Sequence, residues 1–255
     1  MGNDYFHFKQ FSIWQDKCAM KVGTDGVLLG AWAADGAVCR HILDVGTGTG
    51  LIALMLAQRN PGALVQAIDI DESACLQAKA NVEASPFAAR IRVAHADFSD
   101  YASQTGACFD LVVSNPPYFV QSLKSPDSRR SLARHDGSLS LAELTGKGKS
   151  LIRPEGRLAL ILPVERENEL EELARSNGLT ISRKTFVVPI PEAVPKRLLA
   201  ELRAGPSACV RENLLVEEAR HQYSLAYKDL TAAFYREEHW AGRNKNTWIS
   251  EKIRG

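Results

Sequence analysis

Apolar runs that alternate with helical segments, a glycine-rich turn directly after one run and a Pro-Pro step directly after another predict a doubly wound α/β sheet for this 255-residue chain. Hydrophobic residues make up 45% and charged residues 24%, which supports a buried core and excludes a coiled coil, a collagenous rod or a mainly disordered chain. At about 150 residues per domain, the length fits a single domain over 1–255. It divides into an N-terminal hairpin and helix over 1–40 and a core with distal strands and a terminal helix over 41–255.

The elements follow in order. YFHFKQFSIWQDK alternates enough for a short hairpin, and TDGVLLGAWAA reads as a helix capped by Thr24 or Asp25. HILDV is a strand, and LIALMLAQRN is a helix ended by Pro61. ALVQAIDI is the next strand. DESACLQAKANVEA reads as a helix with acidic residues in its first turn and Ala74, Leu76, Ala78, Ala80 and Val82 as its apolar positions. RIRVAHADF and FDLVVSNPPY are strands, the second cut off by proline, and GRLALILP is another, preceded by an RPEG turn. TISRKTFVVP, RLLAELRA and VRENLLVEE are strands of the distal end of the sheet. HQYSLAYKDLTAAFYREE reads as a terminal helix whose Tyr223, Tyr227, Leu230 and Phe234 form a core-facing stripe.

Five scattered cysteines, Cys18, Cys39, Cys75, Cys108 and Cys209, form no CxxC pair. They argue against a disulfide framework or a thiolate metal site and read as small buried hydrophobes in a reducing compartment. No metal is expected. Asp4, His7 and Lys9 interrupt the N-terminus, and the run from Leu51 to Ala57 is too short to span a bilayer, so the expectation is a cytoplasmic protein without membrane contact. Oligomeric state is left open, with a monomer expected. The net charge of +1 hides an asymmetry: residues 1–120 carry 8 Lys and Arg against 12 Asp and Glu, and residues 121–255 carry 23 against 18.

Asp44-Val45-Gly46-Thr47-Gly48-Thr49-Gly50 lies between a strand and a helix, where this architecture binds nucleotide-like cofactors. The spacing is GxGxG, whereas the dinucleotide fingerprint is GxGxxG. A carboxylate at Asp44 would repel a pyrophosphate but could hold the cationic amino-acid end of S-adenosylmethionine. The competing reading of Asp44 is a turn-capping carboxylate. Asp69 ends the next strand, where it can accept hydrogen bonds from two ribose hydroxyls. Asp71 competes for that role, and Asp69 is preferred because Asp71 can cap the following helix.

Asn115-Pro116-Pro117-Tyr118 sits at the carboxyl end of its strand, beside the glycine loop. The Pro-Pro step fixes the backbone and leaves carbonyls to face a ligand. An amine conjugated with a ring or carbonyl is a weak nucleophile, and its two hydrogens can be accepted by the Asn115 side-chain oxygen and the Pro116 carbonyl. Those bonds strengthen as the nitrogen becomes tetrahedral and positive, and no strong general base is required. Tyr118 would stack on the planar acceptor.

DVGTGTG, Asp69, Asp97 and NPPY in this order resemble the class I S-adenosylmethionine-dependent amino-methyltransferases. FKQFSIWQDKCAMKVGTDGVLLGAW, RHDGSLSLAEL and FYREE resemble one branch, the bacterial tRNA1(Val) (adenine37-N6)-methyltransferases. The resemblance implies a Rossmann-like mixed sheet, mostly parallel with an antiparallel strand near one edge. It also implies Gly46, Gly48 and Gly50 under the cofactor, Asp44 near its amino group and Asp69 on its ribose. Asp97 would accept from the adenine amine, with Phe98 packing on that ring, and Thr24, Asp25 and Gly26 would contribute to the methionine end. Asn115 would touch both cofactor and substrate.

The implied partner is the anticodon loop of a tRNA, whose adenine flips into a pocket at modest cost because it is largely unpaired. Lys124, Arg129, Arg130 and Arg134 would contact phosphates, and Tyr118 with Phe119 would meet the base. Two alternatives stand beside this reading: a protein-glutamine methyltransferase acting on release factors, and a noncatalytic adenosine- or RNA-binding module. The glycine loop begins by residue 46, leaving no room for the N-terminal helical domain usual in the release-factor enzymes, and that favours tRNA.

Overall fold

The computed structural model describes residues 4–16, 21–117 and 139–240. The apolar runs become eight strands of one sheet: β3 (His41–Val45), β4 (Leu64–Asp69), β5 (Ile91–His95), β6 (Phe109–Ser114), β7 (Ile152–Pro163), β8 (Leu179–Val188), β9 (Arg197–Ala204) and β10 (Val210–Leu215). Their spatial order is β10-β8-β9-β7-β6-β3-β4-β5, and only β9 runs antiparallel to its neighbours. The mixed, mostly parallel sheet is the expected one. Two short antiparallel strands, β1 (Tyr5–His7) and β2 (Ser12–Trp14), form the N-terminal hairpin, and β11 (Glu217–Ala219) pairs with β12 (Gln222–Tyr223).

Strand residues alternate between two cores because successive side chains point to opposite faces. Ile42, Leu111, Val113 and Ala159 face helices α1 (Thr24–Trp32) and α2 (Leu51–Arg59). Leu43, Val112, Leu158 and Leu160 face the second core, which includes Phe98 of α4 (Phe98–Gln104), Leu144 of α5 (Leu141–Leu151) and Leu170 of α6 (Glu167–Ser176). Each fully buried Leu, Ile or Val contributes about 1.5–3 kcal/mol of burial free energy. Helices α1 and α2 lie close because Gly30 meets Met55, where a Cβ would come within 2.7 Å of the Met55 sulfur.

Several details depart from the sequence reading. Helix α1 is capped by the Gly23 backbone without a side-chain bond, so neither Thr24 nor Asp25 is the cap. Helix α3 (Glu72–Glu83) buries Ala74, Cys75, Gln77, Ala78, Asn81 and Val82, while Leu76 is 57% exposed. The 100° turn per residue puts position 76 opposite the buried face and brings polar Asn81 inside. The terminal helix is only α7 (Leu225–Thr231), started by Ser224, whose hydroxyl accepts from Tyr227 N. Tyr223 belongs to β12, and Phe234 follows the helix, yet Tyr227 and Phe234 are buried in the core as expected. Cys39 and Cys75 are buried, but Cys108 and Cys209 lie in loops and are exposed. Helices α4, α5 and α6 were not read from the sequence.

The RPEG segment is a bulge within β7, not a turn before it: Phe109 pairs with Ile152 and Leu111 with Arg157. A Cβ at Gly156 would lie 2.7 Å from the Phe109 carbonyl oxygen and 2.8 Å from Arg153 N, both rigid backbone. Gly156→Ala should therefore lower unfolding free energy by about 1–3 kcal/mol, seen as a reduced urea midpoint. An unchanged midpoint would mean that the bulge yields freely.

Candidate active site

Strands β3, β4 and β6 end side by side at the carboxyl edge of the sheet. Val45 pairs with Ile68 on one side and Ser114 on the other, so the glycine loop, Asp69 and Asn115 emerge from adjacent rows about 4.8 Å apart. Residue 114 strengthens the junction, since its buried hydroxyl donates to Val45 O at 2.8 Å. Asn115 is half-buried, Pro116 buried and Pro117 half-buried. Ser114 was missed in the sequence, where its position directly before the motif was the available signal.

The loop turns through three left-handed glycines, with φ of 72° at Gly46, 55° at Gly48 and 82° at Gly50, a conformation that L side chains avoid. Gly46 N and Thr47 N donate to Ile68 O, Gly50 N donates to Thr47 O, and Gly48 N donates to the Asp69 Oδ2 at 2.8 Å. These four amides are committed within the protein and are not free to donate to a pyrophosphate. A Cβ at Gly46 would meet nothing within 4 Å, so the loop borders open space.

Asp44 is fully buried. Its Oδ2 accepts from Thr47 Oγ1 at 2.7 Å and from Ala53 N in the first turn of α2 at 3.2 Å. Its Oδ1 is buried with no hydrogen-bond partner among the described residues. The capping reading of Asp44 thus accounts for one oxygen only. Desolvation pushes its carboxyl up to about 7, against the pull of the Thr47 and Ala53 hydrogen bonds.

On the neighbouring strand, half-buried Asp69 accepts from Gly48 N through one oxygen and from Asp71 N through the other. Asp71 caps α3 by accepting from Ser73 N. Between them Ile70 is 47% exposed, an apolar side chain at the rim that the sequence reading did not single out. Asp97 caps α4 by accepting from Asp100 N, and Phe98 is buried within the second core.

The N-terminal segment closes the other side. Gly26 packs on the first residue of α2, and a Cβ there would lie 3.1 Å from a Leu51 methyl. Thr24 is exposed, and Asp25 accepts from Arg197 Nε at 2.7 Å. Fully buried Asn81 accepts from Trp14 N and donates to the carbonyls of Trp14 and Thr49, joining hairpin to glycine loop. Gln15 Oε1 accepts from Val22 N, fastening the hairpin to the approach to α1. Neither Asn81 nor Arg197 carries a motif signal, because their partners lie far along the chain.

Tyr118, Phe119, Lys124, Arg129, Arg130 and Arg134 lie outside the described residues. Among the described residues, no three His, Cys, Asp or Glu side chains cluster as a metal site, and no helix is long and apolar enough to cross a membrane.

Residues 23–162 match the family described as Methyltransferase small domain. The chain is 54% identical over 236 residues to a tRNA1(Val) (adenine(37)-N6)-methyltransferase of Parabacteroides distasonis, covering 92% of this chain and 99% of that one. It is 49% identical over 237 residues to the protein of the same name from Bacteroides thetaiotaomicron, covering 92% and 98%. Among solved structures, a predicted O-methyltransferase from Agrobacterium tumefaciens superposes with a TM-score of 0.65 at 22% identity, covering 82% of this chain and 96% of that one, a likeness of fold.

The Asp44 environment has a pH consequence. Its carboxyl titrates at about 7 when folded and near 3.9 when unfolded, so over this interval the folded state holds a proton that the unfolded state has released. The resulting stability is full below about pH 4 and is lost as pH rises through about 7, at most about 1.4 kcal/mol per unit. Asp44→Asn should remove that slope, so the wild-type advantage in urea melts should shrink from pH 4 to 7. Parallel stability curves would show that Asp44 does not titrate there.

Proposed function

The chain belongs to the family of tRNA1(Val) (adenine(37)-N6)-methyltransferases, and on that premise we propose that its carboxyl-edge pocket binds S-adenosylmethionine beside an adenine flipped out of a tRNA anticodon loop. The reaction is methylation of the exocyclic N6 amine of adenine 37. The observation that carries the assignment of the site is the junction of β3 and β6, where the glycine loop and Asn115 emerge next to each other and Ser114 ties the two strand ends.

The chemistry of the donor set fits this cofactor. Asp44 Oδ1 is a buried acceptor with no partner among the described residues, suited to the cationic ammonium of the amino-acid end, directly or through water. Four loop amides, those of Gly46, Thr47, Gly48 and Gly50, are already engaged by Ile68, Asp69 and Thr47, which disfavours a pyrophosphate. Asp69 would receive the ribose hydroxyls through its remaining lone pairs while holding Gly48 in place. Ile70 offers an apolar surface for the adenine ring, and Asp97 an acceptor for its amine. Phe98 backs that wall from within the core. Thr24, Asp25 and Gly26 would border the methionine end.

When bound, S-adenosylmethionine supplies a methyl group carried on a sulfonium. The N6 lone pair is delocalised into the adenine ring. Asn115 Oδ1 and the Pro116 carbonyl would accept its two N–H bonds, orienting the lone pair and stabilising the positive charge that grows on nitrogen. Pro117 holds the step rigid. Tyr118, joined by Phe119, would stack on the base, and Lys124, Arg129, Arg130 and Arg134 would contact phosphates around it. Asn81 of α3 joins Trp14 of the hairpin to Thr49 of the glycine loop, and Asp25 of α1 meets Arg197 of β9, which supports hairpin, helix and core working as one methyltransferase unit. A tRNA substrate puts this work in the cytoplasm.

Incubation of the protein with labelled S-adenosylmethionine and either total tRNA or release factor tests the assignment, and label in N6-methyladenine of tRNA is the expected result. Label in release-factor glutamine, or in neither substrate, would overturn it. Asn115→Ala should lower turnover at least 100-fold, as loss of a transition-state acceptor does on the order of 10² or more, while cofactor affinity by calorimetry changes far less. Equal losses would make Asn115 structural. Replacing Arg129 and Arg130 together by Ala should weaken tRNA binding and reduce its log–log salt slope by roughly 0.9 per lost phosphate contact. Unchanged affinity and slope in filter binding would move the RNA contact elsewhere.

A further inference from the structure

We infer that Arg197 is a positioning residue for the cofactor pocket, acting through Asp25 from the one antiparallel strand of the sheet. The inference rests on the S-adenosylmethionine reading of that pocket.

Strand β9 begins at Arg197, and because it runs against its neighbours, its first residue stands at the same edge where the parallel strands end. Arg197 pairs in register with Pro163, the last residue of β7, and β7 lies directly beside β6, whose end carries Asn115. From there the Arg197 guanidinium reaches 172 positions back along the chain and donates through Nε to Asp25 Oδ2 at 2.7 Å. The same guanidinium donates to Lys196 O through Nη1 at 3.0 Å, which fixes its plane against its own strand.

Asp25 lies in the first turn of α1, which has no side-chain cap at Gly23. That turn is the wall facing the glycine loop: Gly26 is pressed on Leu51, the residue directly after Gly50. The turn is therefore held on one flank by α2 and on the other by Arg197. Without the arginine, Asp25 would keep its favourable place near the positive end of α1 but would lose the group that sets its direction. The wall could then shift along the cofactor while the cores on both sides of the sheet stayed packed.

The ion pair is not buried enough to be an important stabilising element. Its side chains are 34% and 26% exposed, and pairs at such exposure contribute little to unfolding free energy. A role in geometry is the remaining reason for an arginine in this place, where Nη1 anchors the guanidinium on Lys196 O and Nε gives Asp25 a fixed donor.

Calorimetric binding of S-adenosylmethionine to wild type, Arg197→Ala, Arg197→Lys, Asp25→Asn and the Arg197→Ala/Asp25→Asn double variant tests this, together with thermal melts and steady-state kinetics. Arg197→Ala should weaken cofactor binding roughly 10-fold and raise the cofactor KM in parallel, with kcat at saturating cofactor and the melting temperature close to wild type. Arg197→Lys should recover part of the loss. The double variant should bind no worse than Asp25→Asn alone, because a residue acting through Asp25 has nothing further to lose. Unchanged affinity in Arg197→Ala, or losses that multiply in the double variant, would overturn the inference. So would a fall in kcat that tracks a fall in melting temperature, and if Arg197→Ala does not fold, the same readings on Arg197→Lys decide. Failure of the wild type to bind S-adenosylmethionine would instead remove the reading of the pocket on which the inference rests.

Discussion

A buried carboxylate at the end of the central strand organises the carboxyl edge of the sheet. Asp44 Oδ2 gathers the Thr47 hydroxyl and the Ala53 amide, which joins β3, the glycine loop and the first turn of α2 at one atom. Its other oxygen is left buried without a partner among the described residues. Burying a charge on such terms is costly, and the site offsets that cost by holding the proton to an unusually high pH. A cationic group brought to Oδ1 would favour the ionised form. That unpartnered oxygen fits a cationic group better than a phosphate.

From that centre the rest of the edge is held by bonds between neighbouring strand ends. Gly48 N on Asp69 carries the loop across to β4, and Ser114 on Val45 carries it across to β6. Both bonds are made at positions where the parallel register aligns the ends of β3, β4 and β6. A shift of one strand by a single residue would turn every side chain to the opposite face, and with it the acceptor groups at Asp69 and Asn115. The apolar alternation that fills the two cores therefore also fixes the spacing of the site.

The N-terminal segment belongs to this arrangement. Asn81 lies on the buried face of α3, where a helix normally presents apolar groups, and it supplies the hydrogen bonds that the hairpin backbone and Thr49 O would otherwise lack. The aromatic cluster of Phe6, Phe8, Tyr235 and His239 packs the hairpin against the residues after α7, and Lys9 N donates to Phe234 O across the same seam. The two ends of the described chain thereby brace the layer that carries the glycine loop.

The order of the core strands, the first helices, the glycine loop and the tetrapeptide was legible in the sequence, because each is written in a contiguous stretch: continuous Val, Ile and Leu for a strand covered on both faces, glycine for a left-handed turn, proline for a stop. Even the missed helices had local marks, since Ser140 and Glu143 form a capping box and Leu170 and Ala174 share the buried face of α6. The cap at Asp71 was legible too, because a carboxylate directly before a helix finds that helix's free amides. Packing between distant segments was needed to show that Asn81 faces inward, that Tyr223 leaves the terminal helix for a strand, that Phe98 lies within a core, and that Arg197 meets Asp25. Those outcomes depend on which surfaces are brought together by a sheet whose neighbouring strands are distant in sequence, and no local pattern of residues encodes the partner across such a distance.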